Sequence, residues 1–341
     1  PLDMSSISNF TPLTPGGFYG TFNGLGNTIS NLVINSGADD VGLFGQLMGG
    51  TISNVGLIKG SVTGTNTAAA STAGSLVGAN NFGTISNVYA TGNVNATNNF
   101  TGGLVGMNNQ GTISEAYTTG NVTGTNNYTG GLVGIGDGTI SNVYTTGNVT
   151  GIAMTGGLVG QDSGTISNAY ATGNVNGGGY NAGGLVGWSY GTISNAYATG
   201  NVTGGRSGGL VGMNEGTISN AYATGNVTGS RSGGGLVGMN NYGTISNAYA
   251  TGGVTGVTSG GLVGENQFST INNAYATGNV TGSRSGGGLV GRNDSGTISN
   301  AYFDTSTSGT TASIGEGNTS GGKGLTTVQW LTEGPMVSGS P

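Results

Sequence analysis

The chain has no cysteine and no histidine, and only 5% of its 341 residues are charged. The first absence removes disulfides, thiolate metal ligands and a cysteine nucleophile. The second removes the imidazole base and the commonest metal ligand. Six Lys and Arg against twelve Asp and Glu give a net charge of −6, which leaves no basic footprint for a nucleic-acid partner. No hydrophobic leader and no run of 18 apolar residues is present, so membrane insertion is not expected and the chain reads as a mature product or a fragment. Proline is scarce and informative by position. All five (Pro1, Pro12, Pro15, Pro335 and Pro341) fall outside residues 27–302, as expected where strands are paired on both edges.

What is abundant is glycine, 77 residues, without the G-X-Y period of collagen. Val, Ile, Leu and Tyr recur at fixed intervals, which argues against disorder and for a repeat fold. One unit, Gly102 to Gly124, reads GGLVGMNNQGTISEAYTTGNVTG. Its Leu recurs at Leu76, Leu104, Leu132, Leu158, Leu185, Leu210, Leu236, Leu262 and Leu289, at intervals of 25 to 28. Within the unit, Leu104 to Ile113 is 9 residues, Ile113 to Val122 is 9, and Val122 to Leu132 is 10. Three apolar segments separated by Gly, Asn and Ser describe one turn of a coil. Several Gly per unit exclude helices, whereas β-branched Thr, Ile and Val favour extended chain.

The expected fold is all-β: a right-handed parallel β-helix or solenoid, with three short strands per coil of about 26 residues and about eleven coils stacked at about 4.8 Å. Residues 1–26 form an N-terminal lead-in or cap, 27–302 the repeats, and 303–341 a C-terminal non-repeat cap or joining segment.

Stacking turns each repeat position into a column. The Asn of TISN recurs from Asn31 to Asn300, with Glu115 as the exception. It predicts an amide ladder that also satisfies corner backbone groups and breaks at Glu115. The Tyr column, Tyr89 to Tyr302, has two readings. One is a buried stack with small Ala or Thr facing out; the other is an exposed aromatic stripe for glycans or a partner. Ile113 and Tyr117 share a parity, which favours the interior unless a turn between them resets the phase. The residue after LVG varies (Ala79, Met107, Ile135, Gln161, Trp188, Met213, Met239, Glu265, Arg292), as at a solvent-facing corner.

No catalytic, metal or cofactor residue is assigned, and no enzyme activity is expected. Asp137, Asp162, Glu215, Glu265 and Asp294 supply at most one acid per coil between LVG and TIS, which is too few for glycoside hydrolysis or calcium. They read as solvated loop charges. Arg206, Arg231 and Arg284 share one turn and are expected to meet neighbouring acids. Thr columns such as Thr84/Thr112/Thr139, Thr91/Thr119/Thr146 and Thr123/Thr150/Thr203 raise ice binding, but no paired T-x-T repeats. The sequon Asn-Val-Thr recurs at Asn121, Asn148 and Asn201 among others, a glycosylation acceptor where a secretory path provides the machinery.

The unit GGLVG…GTISNAYATGNVTG resembles the GLUG repeat of large bacterial surface exoproteins, the filamentous-haemagglutinin-type adhesins. Residues 18–32, FYGTFNGLGNTISNL, resemble the lead-in of such arrays. Tyr302-Phe303-Asp304-Thr305-Ser306-Thr307-Ser308-Gly309 and the later GLTTVQW, 324–330, resemble their exit. The resemblance implies secretion to the bacterial surface and an adhesive, structural or biofilm role. It carries no catalytic residue over, and such exoproteins are far longer than this chain. The expected partners are other copies of the chain, stacked end to end into filaments or side by side, and host or matrix glycans or proteins. A glycan-binding or glycan-acting β-helix is the alternative, and an ice-binding solenoid a further one.

Overall fold

The computed structural model describes residues 1–14 and 16–333. Pro15 and residues 334–341, the end of the expected C-terminal segment, lie outside the described residues. The chain is a parallel β-solenoid with three strand-bearing faces per coil and, among the described residues, one short helix, Thr327–Glu333. It divides into two compact units, Pro1–Gly173 and a second from Asn174 onward.

In each unit the chain visits three faces in turn. The first carries the TIS strands, the second starts at the Val of NVT, and the third follows the Leu of LVG. In the first unit, Thr84–Ala90, Thr112–Thr118, Thr139–Thr145 and Thr165–Ala171 stack in parallel with Ile85, Ile113, Ile140 and Ile166 in one register. In the second unit Ile193, Ile218, Ile245, Ile271 and Ile298 do the same. Equal letters of successive coils therefore lie over one another.

The second face explains the uneven coil length. In the first unit it is broken into Val122–Gly124 and Tyr128–Gly130 by Thr125, Asn126 and Asn127. In the second unit the first coil keeps the break, Val175–Asn176 and Asn181–Gly183, and from the next coil on the pieces merge into single strands, Val202–Gly208 and Val227–Gly234. A register shift between Gly204 and Arg206 takes up the odd residue. Losing that loop shortens the step from Val to Leu, from 10 residues (Val122 to Leu132) to 8 (Val202 to Leu210).

Each TIS strand contains a built-in bend. Asn87, Asn142, Asn168, Asn195 and Asn220 all have φ between 51° and 54°, as does Glu115 at 51°. This left-handed region is one that Asn tolerates better than most residues. The bend shifts the alternation by one residue. Ile113, Ala116 and Thr118 face inward, 0%, 1% and 2% exposed, while Tyr117 turns out. The inward-Tyr reading with Ala and Thr outside is thus reversed.

The interior is built from aliphatic columns. Leu104, Leu132 and Leu158 are wholly buried, as are Leu210, Leu236 and Leu262. Truncating Leu132 to Ala is expected to cost about 2–5 kcal/mol, through lost burial and a residual cavity. Denaturant unfolding measures this, and Leu132→Met should cost less than about 1.5 kcal/mol. Corners are backbone against backbone: a Cβ on Gly120 would collide with the Gly92 carbonyl, and one on Gly147 with that of Gly120.

At the N-terminal end of the first unit, Leu2–Asp3 pairs with Ile29 and Ser30, and Leu13 and Phe18 bridge to Phe44 and Leu47. The first long strand, Thr21–Ser30, crosses the expected boundary at residue 26. In the second unit Ile314–Gly317 and Gly322–Leu325 add a further rung to the third and first faces.

Candidate functional surface

The outward columns are the features that repeat. The Tyr rings of the first unit stack at centroid distances of 4.9, 4.7 and 4.9 Å from Tyr89 through Tyr117 and Tyr144 to Tyr170, with planes within 4° of parallel. In the second unit Tyr197, Tyr222, Tyr249 and Tyr275 stack at 4.8, 4.9 and 4.8 Å. Trp330 closes that stack, 5.2 Å from Tyr275 and 6.0 Å from Tyr302. The rings are half-buried, and their faces are spent on each other. A sugar that needs an open aromatic face therefore meets ring edges along most of the column. Burial, then the neighbouring phenols Tyr275 and Tyr222, push the Tyr249 hydroxyl up to about 12. Spectrophotometric titration should show Tyr249 ionising well above the ordinary tyrosine range, and Tyr249→Phe should remove that component.

Two outward Asn columns tie coils together. In the TISN column, Asn87 donates to Asn54 at 2.7 Å and Asn168 to Asn142 at 3.1 Å. Asn247 donates to Asn220 at 3.1 Å and Asn273 to Asn247 at 2.7 Å. No side-chain hydrogen bond joins Glu115 to Asn87 or Asn142 among the described residues, as expected. In the NVT column the side-chain oxygen accepts a backbone N–H of the next coil: Asn121 Oδ1 from Asn148, Asn201 Oδ1 from Asn226, and Asn226 Oδ1 from Gly253, each at 2.9 Å.

A third Asn ladder is buried, and the sequence reading missed it. Asn80 donates to Asn108 at 2.7 Å in the first unit. In the second, Asn214, Asn240, Asn266 and Asn293 link at 2.8, 3.0 and 2.9 Å. These side chains are 0–1% exposed. Most also reach a turn carbonyl, as Asn108 does that of Gly111 at 3.2 Å. The signal was present in the recurrence of Asn four residues after the Leu of LVG.

The first unit breaks this ladder. Gly136 stands over Asn108, and Asp162 over Gly136. Asp162 corrects the solvated-charge reading: it is 0% exposed, with Oδ1 accepting from the Gly164 N–H at 3.2 Å and Oδ2 unpartnered. Burial pushes its carboxyl up to about 7; the Gly164 N–H pulls it back a little and Asp137 adds to the rise. Asp137 is exposed and accepts from the Gln110 N–H at 2.6 Å. One carboxylate faces in and the other out, so the pair does not converge on a substrate. An open surface pocket of about 270 Å³ lies beside Gly136, lined by Met107, Asn108, Asn109, Ile135 and Asp137.

The basic residues divide. Arg284 meets Glu316 at 3.1 Å as expected of its turn. Arg206 and Arg231 have no ion pair among the described residues. Arg292, after LVG, meets Asp294 at 2.9 Å.

The position after LVG is not a corner. It lies within the third-face strands, where Met107, Ile135, Trp188 and Met213 are half-buried and Ala79 and Met239 buried, 2% and 8% exposed. The exposed corner comes just before TIS. There Phe82, Tyr242 and Phe268 are 60%, 69% and 58% exposed, at φ of 59°, 54° and 48°. Bulky residues pay for that conformation. Tyr242 and Phe268 stack at 5.3 Å, and Tyr190 lies 4.9 Å from Trp188.

Comparison with known proteins follows the same repeat. Residues 178–203, 204–228 and 256–281 match the GLUG motif, so the chain carries GLUG repeats in its second unit. A stretch of 79 residues is 49% identical to Halomucin of Haloquadratum walsbyi (strain DSM 16790 / HBSQ001). It covers 23% of this chain and 1% of that protein, so the chain matches a very small part of its relative. No solved structure matches the chain.

Proposed function

We propose that this GLUG-bearing solenoid is an extracellular structural and adhesive element, working through many weak contacts from identical columns. One observation carries the reading: equal outward side chains return on successive coils in strict register, as in the Tyr stacks at 4.7–4.9 Å. A ligand or partner that meets one coil meets the same chemistry on the next, and tethered weak contacts multiply into avidity. The likeness to a stretch of Halomucin and the GLUG repeats support a place outside the cell. The sparse carboxylates and their divergent orientation favour a structural over a catalytic role.

Contact between copies follows the same logic. Parallel stacks end in strand edges that accept further strands. At the N-terminal end an apolar cavity of about 560 Å³ is lined by Leu2, Met4, Phe10, Phe22 and Phe44. End-to-end packing would cover it. Electron microscopy and light scattering of the purified chain over a concentration series test this: filaments or growing oligomers support end-to-end packing, and monomers at every concentration refute it. Retention on matrix glycans or proteins that rises steeply with the number of coils tests adhesion separately.

A further inference from the structure

We propose that the exposed Asn-Val-Thr column is an N-glycan attachment site, so that in each unit the corner that holds it carries sugar. The sequon asparagines Asn121, Asn201, Asn226 and Asn279 are all exposed. The Val between Asn and Thr is turned in: Val122, Val202 and Val227 are 1% exposed. Extended alternation then puts the Asn amide and the Thr hydroxyl two residues on along the same outer face. Thr203, Thr228 and Thr281 are exposed and Thr123 half-exposed.

The hydrogen bonding leaves the right atom available. Asn201 and Asn226 use Oδ1 as acceptor for the next coil's backbone N–H, at 2.9 Å. Their Nδ2 makes no hydrogen bond among the described residues. Glycosylation removes one Nδ2 hydrogen and leaves Oδ1 an acceptor, so sugar and inter-coil staple coexist. The staple explains Asn at this position but not the Thr after it: Asn93 makes the same bond, to the Asn121 N–H at 2.9 Å, with Asn95 two residues on.

Two sequons whose Thr is turned toward the interior, at Asn99 and Asn127, point the opposite way. In Asn99-Phe100-Thr101 the Asn is 7% and the Thr 0% exposed, and Nδ2 donates to the Ala69 carbonyl at 2.6 Å. In Asn127-Tyr128-Thr129 the Thr is 1% exposed and Nδ2 donates to Asn99 at 2.7 Å. The motif alone does not separate these from the corner column, but the fold does.

The transfer needs a sugar activated on a polyprenyl pyrophosphate and its transferase. Nδ2 attacks the anomeric carbon, a C–N bond forms, and the bond from that carbon to the phosphate oxygen breaks. The pyrophosphate leaves with the electron pair, the amide proton passes to a base of the transferase, and no electrons are exchanged.

Peptide mass spectrometry of the full chain from the cells that produce it is the test. Saccharide mass is expected at Asn121, Asn201, Asn226 and Asn279, and none at Asn99 or Asn127. An amidase that releases N-glycans should turn the occupied residues into Asp. Thr203→Val should abolish occupancy at Asn201 alone, and Thr203→Ser should keep it. Unmodified corner asparagines, or sugar confined to Asn99 and Asn127, overturn the proposal.

Discussion

Replacing Asp162 by Asn will stabilise the first unit at pH 8 and above and change it little near pH 4. The carboxyl is buried, one oxygen has no partner, and its pKa is pushed from 3.8 up to about 7. A raised folded pKa means that the folded state holds the proton more tightly than the unfolded chain. The stabilising protonated form is fully present below the unfolded pKa, and its contribution is lost as pH rises from about 4 through about 7. A shift of about 3 units corresponds to about 4 kcal/mol at the alkaline end. Asn keeps the shape, removes the charge and brings a donor that can reach the turn, as Asn214 reaches the Gly216 carbonyl at 3.2 Å. Denaturant unfolding of parent and D162N at pH 4 and pH 8 measures the difference. Parallel pH profiles would show that the carboxyl finds water or a partner.

The second large effect lies in the intact part of that ladder. Asn240 accepts from Asn214 at 2.8 Å and donates to Asn266 at 3.0 Å and to the Gly243 carbonyl at 3.4 Å. Asn240→Ala removes all three bonds at once and leaves their partners short inside the buried strand stack. At about 1–3 kcal/mol for each strongly orphaned group, the loss should reach about 3–5 kcal/mol. Asn226→Ala, which removes one bond at an exposed corner, should cost about 1 kcal/mol. Chemical denaturation of the two variants side by side decides. Equal losses would mean that the buried row adds no more than the exposed one.

The period, the three faces and the stacked register were legible because Leu, Ile and Val return at fixed distances and each must be buried. The direction of Tyr117 was not, because it depends on one backbone angle. Glu115 at φ 51° shifts the alternation, and counting residues cannot see that shift. Asn240 was overlooked for a related reason: a polar letter inside a strand reads as a surface residue until its partner one coil away is known. Asp162 took the same mistake further, since its neighbours in sequence, Gln161 and Ser163, resemble an ordinary turn. The corner sequons were visible as letters, but not the burial that separates Asn201 from Asn99.

The glycine corners have a consequence for how such a chain can change. Where Gly147 rests on the Gly120 carbonyl there is no volume for even a methyl group, so the corner resists single substitutions at every level alike. Adding or removing a complete turn leaves each surviving corner as it was, because every turn contacts only its neighbours. The gene is therefore freer to vary by whole duplicated or deleted turns than by point changes at these sites, and reach becomes the heritable variable.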